Sequence, residues 1–365
     1  MNILYYYRNE GTFMYTWQIE HIVSELKMHE CFIDILNPLD YENLQQANEA
    51  VLEKIKIGKY ALFMTCLNEK YLYNETVISI KKTGTPTLLF CPDNLLAPFI
   101  DENNAKLYDL VWLTSKETEF LYKKWKCNTV FLPYAANPFL FVPVYTEEIP
   151  AAGFIGNPHG SRVDRINSLT TSGIDVVVHN KKIENGIKKA QAQVKTQPVF
   201  TKTQNLKNFM RYSIGRKILI ASVVDKVSKH EFVNNEHLRF DYQIPFEMMA
   251  EVTCKYAIML SFSDAKSTGV LKNPVPIINL RQFEIPMAGG LQFTTYTEEL
   301  SNYFEDGKEI IMCKSRDEYI EKAKYYLRDE QSELRMKMKL AARKRAENEH
   351  TWFCRFSAIF EKLGV

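Results

Sequence analysis

Apolar residues recur along the chain in short runs separated by stretches with helical spacing. Asn2–Tyr7, Cys31–Leu36, Tyr60–Cys66, Pro86–Cys91, Leu110–Leu113 and Thr129–Leu132 are apolar runs of strand length. Between them, Thr16–Lys27 (Ile19, Ile22, Val23, Leu26), Leu44–Ile57, Asn74–Lys82 and Glu117–Trp125 place apolar residues three and four apart. That is the period of a helix with one buried face. Strands alternating with helices predict βαβ units and a parallel sheet. Pro133, Pro138, Pro143 and Pro150, with Glu147 and Glu148, then interrupt the pattern and read as a linker. The alternation restarts beyond it. Ala152–Ile155, Ile174–His179, Ile218–Val224, Ala257–Phe262, Leu291–Thr294 and Glu309–Met312 read as strands. Arg162–Thr171, Pro245–Cys254, Arg281–Ala288, Arg316–Leu327, the charged Leu334–Glu349 and the amphipathic Thr351–Leu363 read as helices.

The expected fold is therefore α/β, with two Rossmann-like domains over 1–148 and 149–350 and a closing helix over 351–365. Ligands of doubly wound sheets bind beyond the carboxyl ends of the strands. A cleft between the two domains is the expected site, with the loop Arg8–Trp17 facing it.

Composition narrows the classes. At 365 residues, 46% hydrophobic and 25% charged, the chain has material for two cores and is no disordered polymer. Its 46 Lys+Arg against 44 Asp+Glu leave +2, so a dedicated nucleic-acid binder is disfavoured. None of the seven cysteines forms a C-x-x-C pair, and the expectation is buried free thiols. The start, MNILYYYRNEG, reads as a strand rather than a signal peptide, and no apolar run is long enough to span a membrane. Cytoplasmic residence is expected. One stretch departs from the neutral balance: residues 181–217 hold ten Lys/Arg and one acid, 10 − 1 = +9. It reads either as a solvated surface or as a patch for an anionic membrane, a lipid-phosphate acceptor or a nucleic acid. The first of these would put the protein on the inner face of a membrane as a peripheral component.

Several chemistries lack their motifs. There is no G-x-G-x-x-G after the first strand, no P-loop, no H-E-x-x-H, no G-x-S-x-G and no D-x-D for a divalent ion between phosphates. Two motifs remain. At Gly153–Arg162 a strand runs through Gly156, Asn157, Pro158, His159 and Gly160 into a helix. Free N–H groups there can hold a phosphate, and Arg162 adds charge. Asn279–Gly290 (NLRQFEIPMAGG) places Glu284 among apolar residues with Arg281 one turn earlier on the same face. A carboxylate so placed either accepts two hydrogen bonds from a ribose diol or pairs with Arg281. Gly289 and Gly290 end the helix and permit close backbone approach.

The stretch LRQFEIPMAGGLQFTTYTEELSNYFEDGKEIIMCKSRDEYIEKAKYYL, with EHTWFCRF beyond it, resembles the CgeB-like (spore-maturation-type) glycosyltransferases. The likeness runs from about residue 86 to the end of the sequence and is densest over 278–352. Cys91-Pro92-Asp93, Leu132–Pro138, Phe154–Asn157 and Tyr242–Pro245 also fit. Residues 181–240 do not take part.

The resemblance implies a GT-B fold, with the second domain holding a nucleoside-diphosphate sugar and the last helix crossing back to the first. It implies no bound metal or other cofactor. Glu284 would anchor the ribose, Arg281 would neutralise the leaving phosphate, and Gly156, Asn157 and Arg162 would hold the diphosphate. Tyr242 to Pro245 would border the base or sugar, and Gly289 and Gly290 would also belong to the donor site. Asp93 is the candidate general base, with Glu10, Glu69 and His21 behind it. Related retaining enzymes carry a second Glu where this chain has Pro276, so the stereochemistry stays open. The expected acceptor is a glycan, a lipid-linked group or a protein. The alternatives are a non-catalytic sugar-nucleotide or glycan-binding module, and a nucleic-acid-modifying glucosyltransferase.

Overall fold

In a parallel sheet covered on both sides, strands are apolar on both faces, and the first six apolar runs obey that rule. They form β1 (Asn2–Tyr6), β2 (Phe32–Leu36), β3 (Leu62–Thr65), β4 (Thr87–Cys91), β5 (Leu110–Leu113) and β6 (Thr129–Phe131). Every pairing is parallel, in the order β2-β1-β3-β4-β5-β6, and β3, β4 and β5 are wholly buried. The intervening helices are α1 (Phe13–Gln18), α2 (Ser24–Met28), α3 (Leu44–Ile57), α4 (Asn74–Lys82) and α5 (Glu119–Lys124). A π turn at Ile19–Val23 joins the first two. The computed structural model describes residues 1–11, 13–181 and 200–365.

The second sheet is also six-stranded and parallel: β7 (Ile149–Ile155), β8 (Val176–Lys181), β9 (Leu238–Tyr242), β10 (Tyr256–Leu260), β11 (Gln292–Thr295) and β12 (Ile311–Cys313). Its order is β12-β11-β10-β7-β8-β9. Around it lie α6 (Ser161–Thr170), α7 (Lys202–Met210), α8 (Ser213–Val227), α9 (Met249–Lys255), α10 (Arg281–Met287), α11 (Arg316–Tyr326) and α12 (Ser332–Glu349). Phe154, Val176, Val178, Ile258, Leu260 and Phe293 build its main core with Ile166 and Leu169 of α6 and Tyr319 of α11.

One expected strand is corrected. Ile218–Val224 lies inside α8, which buries Gly215, Ile218 and Ala221 at a spacing of three. A run this apolar, broken only by Ser222, satisfies both periods, and only length and packing separate them. The sixth strand is instead β9. It sits at the sheet edge, so the charged Arg239 and Asp241 alternate with Leu238 and Phe240 and mask the apolar signal.

The chain divides into unit 1, Met1–Ala135 with Thr351–Val365, and unit 2, Ala136–His350. The Pro-rich segment after Ala135 therefore belongs to unit 2. Glu148, within it, pairs with the buried Arg335 and Lys339 of α12. The last helix, α13 (Trp352–Leu363), is part of unit 1. Trp352, Phe356 and Ile359 form its buried face, and Phe356 meets Trp112 of β5 edge-on at 5.4 Å. Its first N–H groups are satisfied locally: Trp352 and Phe353 donate to the Glu25 carboxylate and Cys354 to Thr351 Oγ1. All seven cysteines are free thiols. Among the described residues no helix is long and apolar enough to cross a membrane.

Candidate functional site

The strand order of unit 2 runs outward from β7 through β8 to β9, then reverses from β10 through β11 to β12. The reversal lies between β7 and β10, and ligands of such sheets collect at the carboxyl ends there. Two segments meet at that point. After β7, Gly156 takes φ +146° and Gly160 φ +56°, and the turn delivers the chain into α6. A side chain on Gly160 would clash, because its Cβ would lie 2.8 Å from Asp225 Oδ1. After β10, Asp264 reaches across to Arg165 of α6 at 2.5 Å.

Two guanidinium groups thus surround one carboxylate. Half-buried Arg162 holds the turn through Nη1 to the Asn157 carbonyl at 3.3 Å. Burial presses its pKa down, while Asp264 opposes the fall. Burial likewise pushes the Asp264 carboxyl up, against the pull of Arg165 and then Arg162. Burial and then Arg162 hold His159 below the ordinary histidine range, so its ring is neutral at pH 7. The turn sets two guanidinium groups, with Asp264 and Asp225 beside them, at the amino end of α6, where a helix start favours an anion.

The second motif folds as a short helix seated on the sheet. Asn279 opens α10, accepting from the Arg281 N–H at 3.0 Å and donating its own N–H to Gln282 Oε1 at 2.9 Å. Gln282 reaches down to Ser261 and Ser263 at 2.9 and 3.1 Å, and Ser263 meets Thr294 at 3.2 Å. These buried hydroxyls fix the roll of α10 against β10 and β11. Arg281 Nη1 donates to Glu284 Oε2 at 2.9 Å, the acid buried and the arginine partly exposed. The Gly pair has a packing reason of its own. Gly289 caps α10 at φ +75°, and a Cβ there would meet Pro143 and Tyr145, while one on Gly290 would meet Thr253. The close approach these glycines allow is to their own chain.

Tyr242 and Pro245 are exposed at the end of β9. The Tyr242 carbonyl lies 3.2 Å from His179 Nδ1, whose Nε2 meets the Tyr256 hydroxyl at 2.7 Å. Burial lowers the His179 pKa and pushes Tyr256 up to about 12. His350 packs its ring against Phe283 of α10, 5.2 Å between centroids. Arg165, Asp264 and the Gln282–Ser261–Ser263–Thr294 set were not legible as site residues. A carboxylate at the end of the all-apolar strand Tyr256–Leu260 was the one signal that could have raised Asp264.

In unit 1 the sheet reverses between β1 and β3. Asp93 lies, as expected, just beyond the end of β4, on an exposed turn where its carbonyl accepts from Leu96 and Ala97. Glu10 pairs with Arg8, Glu69 accepts from Asn103, and His21 is fully buried beside Trp17 and Trp352. Unit 1 also holds a buried acid, Asp101. Burial pushes the Asp101 carboxyl up to about 7, against a hydrogen bond from the Cys91 thiol at 3.4 Å and with help from Glu69. Above about pH 4 the unfolded chain has released a proton that native Asp101 retains, so stability falls as pH rises from about 4 to 7. Asp101→Asn removes that loss. The expected outcome is a variant whose unfolding free-energy advantage over wild type grows between pH 4.5 and 8, by about 2–4 kcal/mol. An advantage equal at both pH values would show that Asp101 does not titrate there.

Of the basic stretch 181–217, Lys182, Lys188, Lys189, Lys195 and Glu184 lie outside the described residues. Lys202, Lys207, Arg211, Arg216 and Lys217 are exposed on and around α7 and α8. Among the described residues no three His, Cys, Asp or Glu side chains gather as metal ligands.

Residues 206–361 match the model of a family described as glycosyl transferase-like. Solved structures match the whole chain. The fold is that of the GT-B glycosyltransferases. Sucrose-phosphate synthase from Thermosynechococcus elongatus aligns with 100% of this chain and 99% of its own, at 12% identity and a TM-score of 0.53. The Anabaena protein HepE, in complex with UDP and glucose, covers 100% and 99% at 11% identity and 0.54. The DNA-modifying β-glucosyltransferase, solved with and without uridine diphosphoglucose, covers 100% of both chains at 14% identity and 0.57. No curated protein sequence matches the chain.

Proposed function

We propose that the protein is a glycosyltransferase that takes its sugar from a nucleoside-diphosphate sugar. The observation that carries this reading is the Arg162–Arg165–Asp264 rim around a glycine turn at the sheet reversal, inside a GT-B fold. The glycosyl transferase-like match over 206–361 supports it, as do the structural neighbours solved with UDP and glucose and with uridine diphosphoglucose. The motifs over 278–352 support a CgeB-like member in particular.

In the reaction, the bond from the anomeric carbon to the diphosphate oxygen breaks and one to an acceptor oxygen forms. The acceptor's proton passes to a base, for which Asp93 is the candidate, and the nucleoside diphosphate leaves with the electron pair of the broken bond as added negative charge. Backbone donors at Gly156 and Asn157 and the Arg162 guanidinium hold the diphosphate. Arg281 meets the charge that develops on the leaving group, in the place a metal would otherwise take. Glu284 accepts from the ribose diol.

The test is a thermal-shift panel of UDP-, GDP-, dTDP-, ADP- and CMP-sugars in the presence of a chelator. A ligand at roughly 100 times its Kd adds about 2.7 kcal/mol. One donor class should raise the Tm of the wild type, and Arg162→Ala should weaken that shift. Wild-type protein unmoved by all five would overturn the donor reading and leave glycan binding in its place. A shift that needs added Mg²⁺ or Mn²⁺ would overturn the metal-free reading alone.

A further inference from the structure

Helix α8 carries four large apolar residues on its outer face. Ile220, Val223, Val224 and Val227 stand at i, i+3, i+4 and i+7, so they share one face of α8. All four are exposed, Val223 by 65% and Val227 by 78%. The opposite face, which packs inward, carries Gly215, Ile218 and Ala221. A helix serving only as a cover for unit 2 would have the reverse arrangement. The neighbouring α7 buries no residue at all and exposes Leu206 and Met210.

Charge surrounds this aliphatic surface. From Lys202 to Lys229 there are seven Lys/Arg (Lys202, Lys207, Arg211, Arg216, Lys217, Lys226, Lys229) and one acid, 7 − 1 = +6. All seven are exposed. The acid, Asp225, faces inward, with Ser267 at 3.0 Å and His230 Nε2 at 3.2 Å.

We propose that α7 and α8 dock on an anionic lipid bilayer, the aliphatic stripe entering the headgroup boundary and the basic residues meeting lipid phosphates. Aliphatic residues on one helix face with Lys and Arg around them are the signature of a helix lying in a membrane interface. A second copy of the chain would set +6 against +6, so like-charge repulsion opposes self-pairing on this face. A nucleic acid would use the cations and leave the aliphatic stripe in water. An anionic bilayer satisfies both features. The inward face of α8 borders the glycine turn through Asp225, but the docking of its outer face does not depend on the donor reading.

The test is co-sedimentation with phosphatidylcholine vesicles, with and without phosphatidylglycerol, across a salt series. The expected result is binding to the anionic vesicles alone, weakening as salt rises. Val223→Asp/Val227→Asp and Lys207→Glu/Lys217→Glu should each weaken it about tenfold or more. All four positions are exposed, so the apo Tm and any nucleotide-sugar shift should be retained. No binding to anionic vesicles would overturn the proposal. So would equal binding to neutral ones, or binding unchanged in both variants. Size exclusion that shows a wild-type dimer and a monomeric Val223→Asp/Val227→Asp would assign the face to self-association instead.

Discussion

Glu284→Gln is expected to weaken nucleotide-sugar affinity by about 10- to 100-fold while leaving the fold in place. The substitution preserves shape and one acceptor oxygen and removes the charge. A hydrogen bond to a charged group contributes about 1.5–3 kcal/mol, and a carboxylate that accepts from both hydroxyls of a ribose sits at the upper end. The structural effect is smaller. Glu284 is paired with Arg281 one turn away, and Arg281 is partly exposed, so the arginine left behind rehydrates. A helical pair of this spacing contributes about 0.5 kcal/mol. Ligand-free Tm and donor-induced shift therefore separate the two roles. The donor shift should fall to about half or less of the wild-type value, and the ligand-free Tm should drop by no more than a few degrees. A lowered ligand-free Tm with an intact donor shift would make the pair structural and remove Glu284 from the site.

Glu148→Ala should have the largest effect on stability. Glu148 Oε1 accepts from Arg335 Nε at 2.8 Å, and Oε2 accepts from Lys339 Nζ at 2.6 Å. Arg335 and Lys339 are only 2% and 1% exposed. They also donate to the carbonyls of Tyr326, Arg328, Cys254 and Tyr256, tying α12 to the sheet. Without the acid, two cations are buried with only carbonyl partners. Breaking a buried ion pair from one side costs about 3–5 kcal/mol, or roughly 10 °C or more in Tm. Lys339→Met added to Glu148→Ala should recover part of that loss. An unfolding midpoint unchanged in Glu148→Ala would refute this account.

The same triad sets a pH dependence of opposite sign to that of Asp101. Burial alone would raise the Glu148 pKa, but Arg335 and Lys339 outweigh it and hold the carboxyl below its usual range. A depressed acid contributes its full stability above the unfolded value of about 4.3 and loses it as pH falls through the folded value. Wild type and Glu148→Ala should therefore converge in strong acid.

Among the described residues, eleven of the twelve strands lie in or beside apolar runs that the sequence displays, because a strand covered on both faces leaves a continuous apolar signature. The α/β class and the Gly156–Arg162 turn follow from the same local pattern. So does the Arg281–Glu284 pairing, which needs only helical spacing. Tertiary structure decided the rest. The edge strand Leu238–Tyr242 carries charge on its open side and hid from an apolar search. The run Ile218–Val224 fits either period, and only packing through Gly215, Ile218 and Ala221 made it a helix. Asp264 with Arg165, and Glu148 with Arg335 and Lys339, are far apart in sequence. Their meeting is set by strand order, by which face each helix buries, and by the need of a buried charge for a partner.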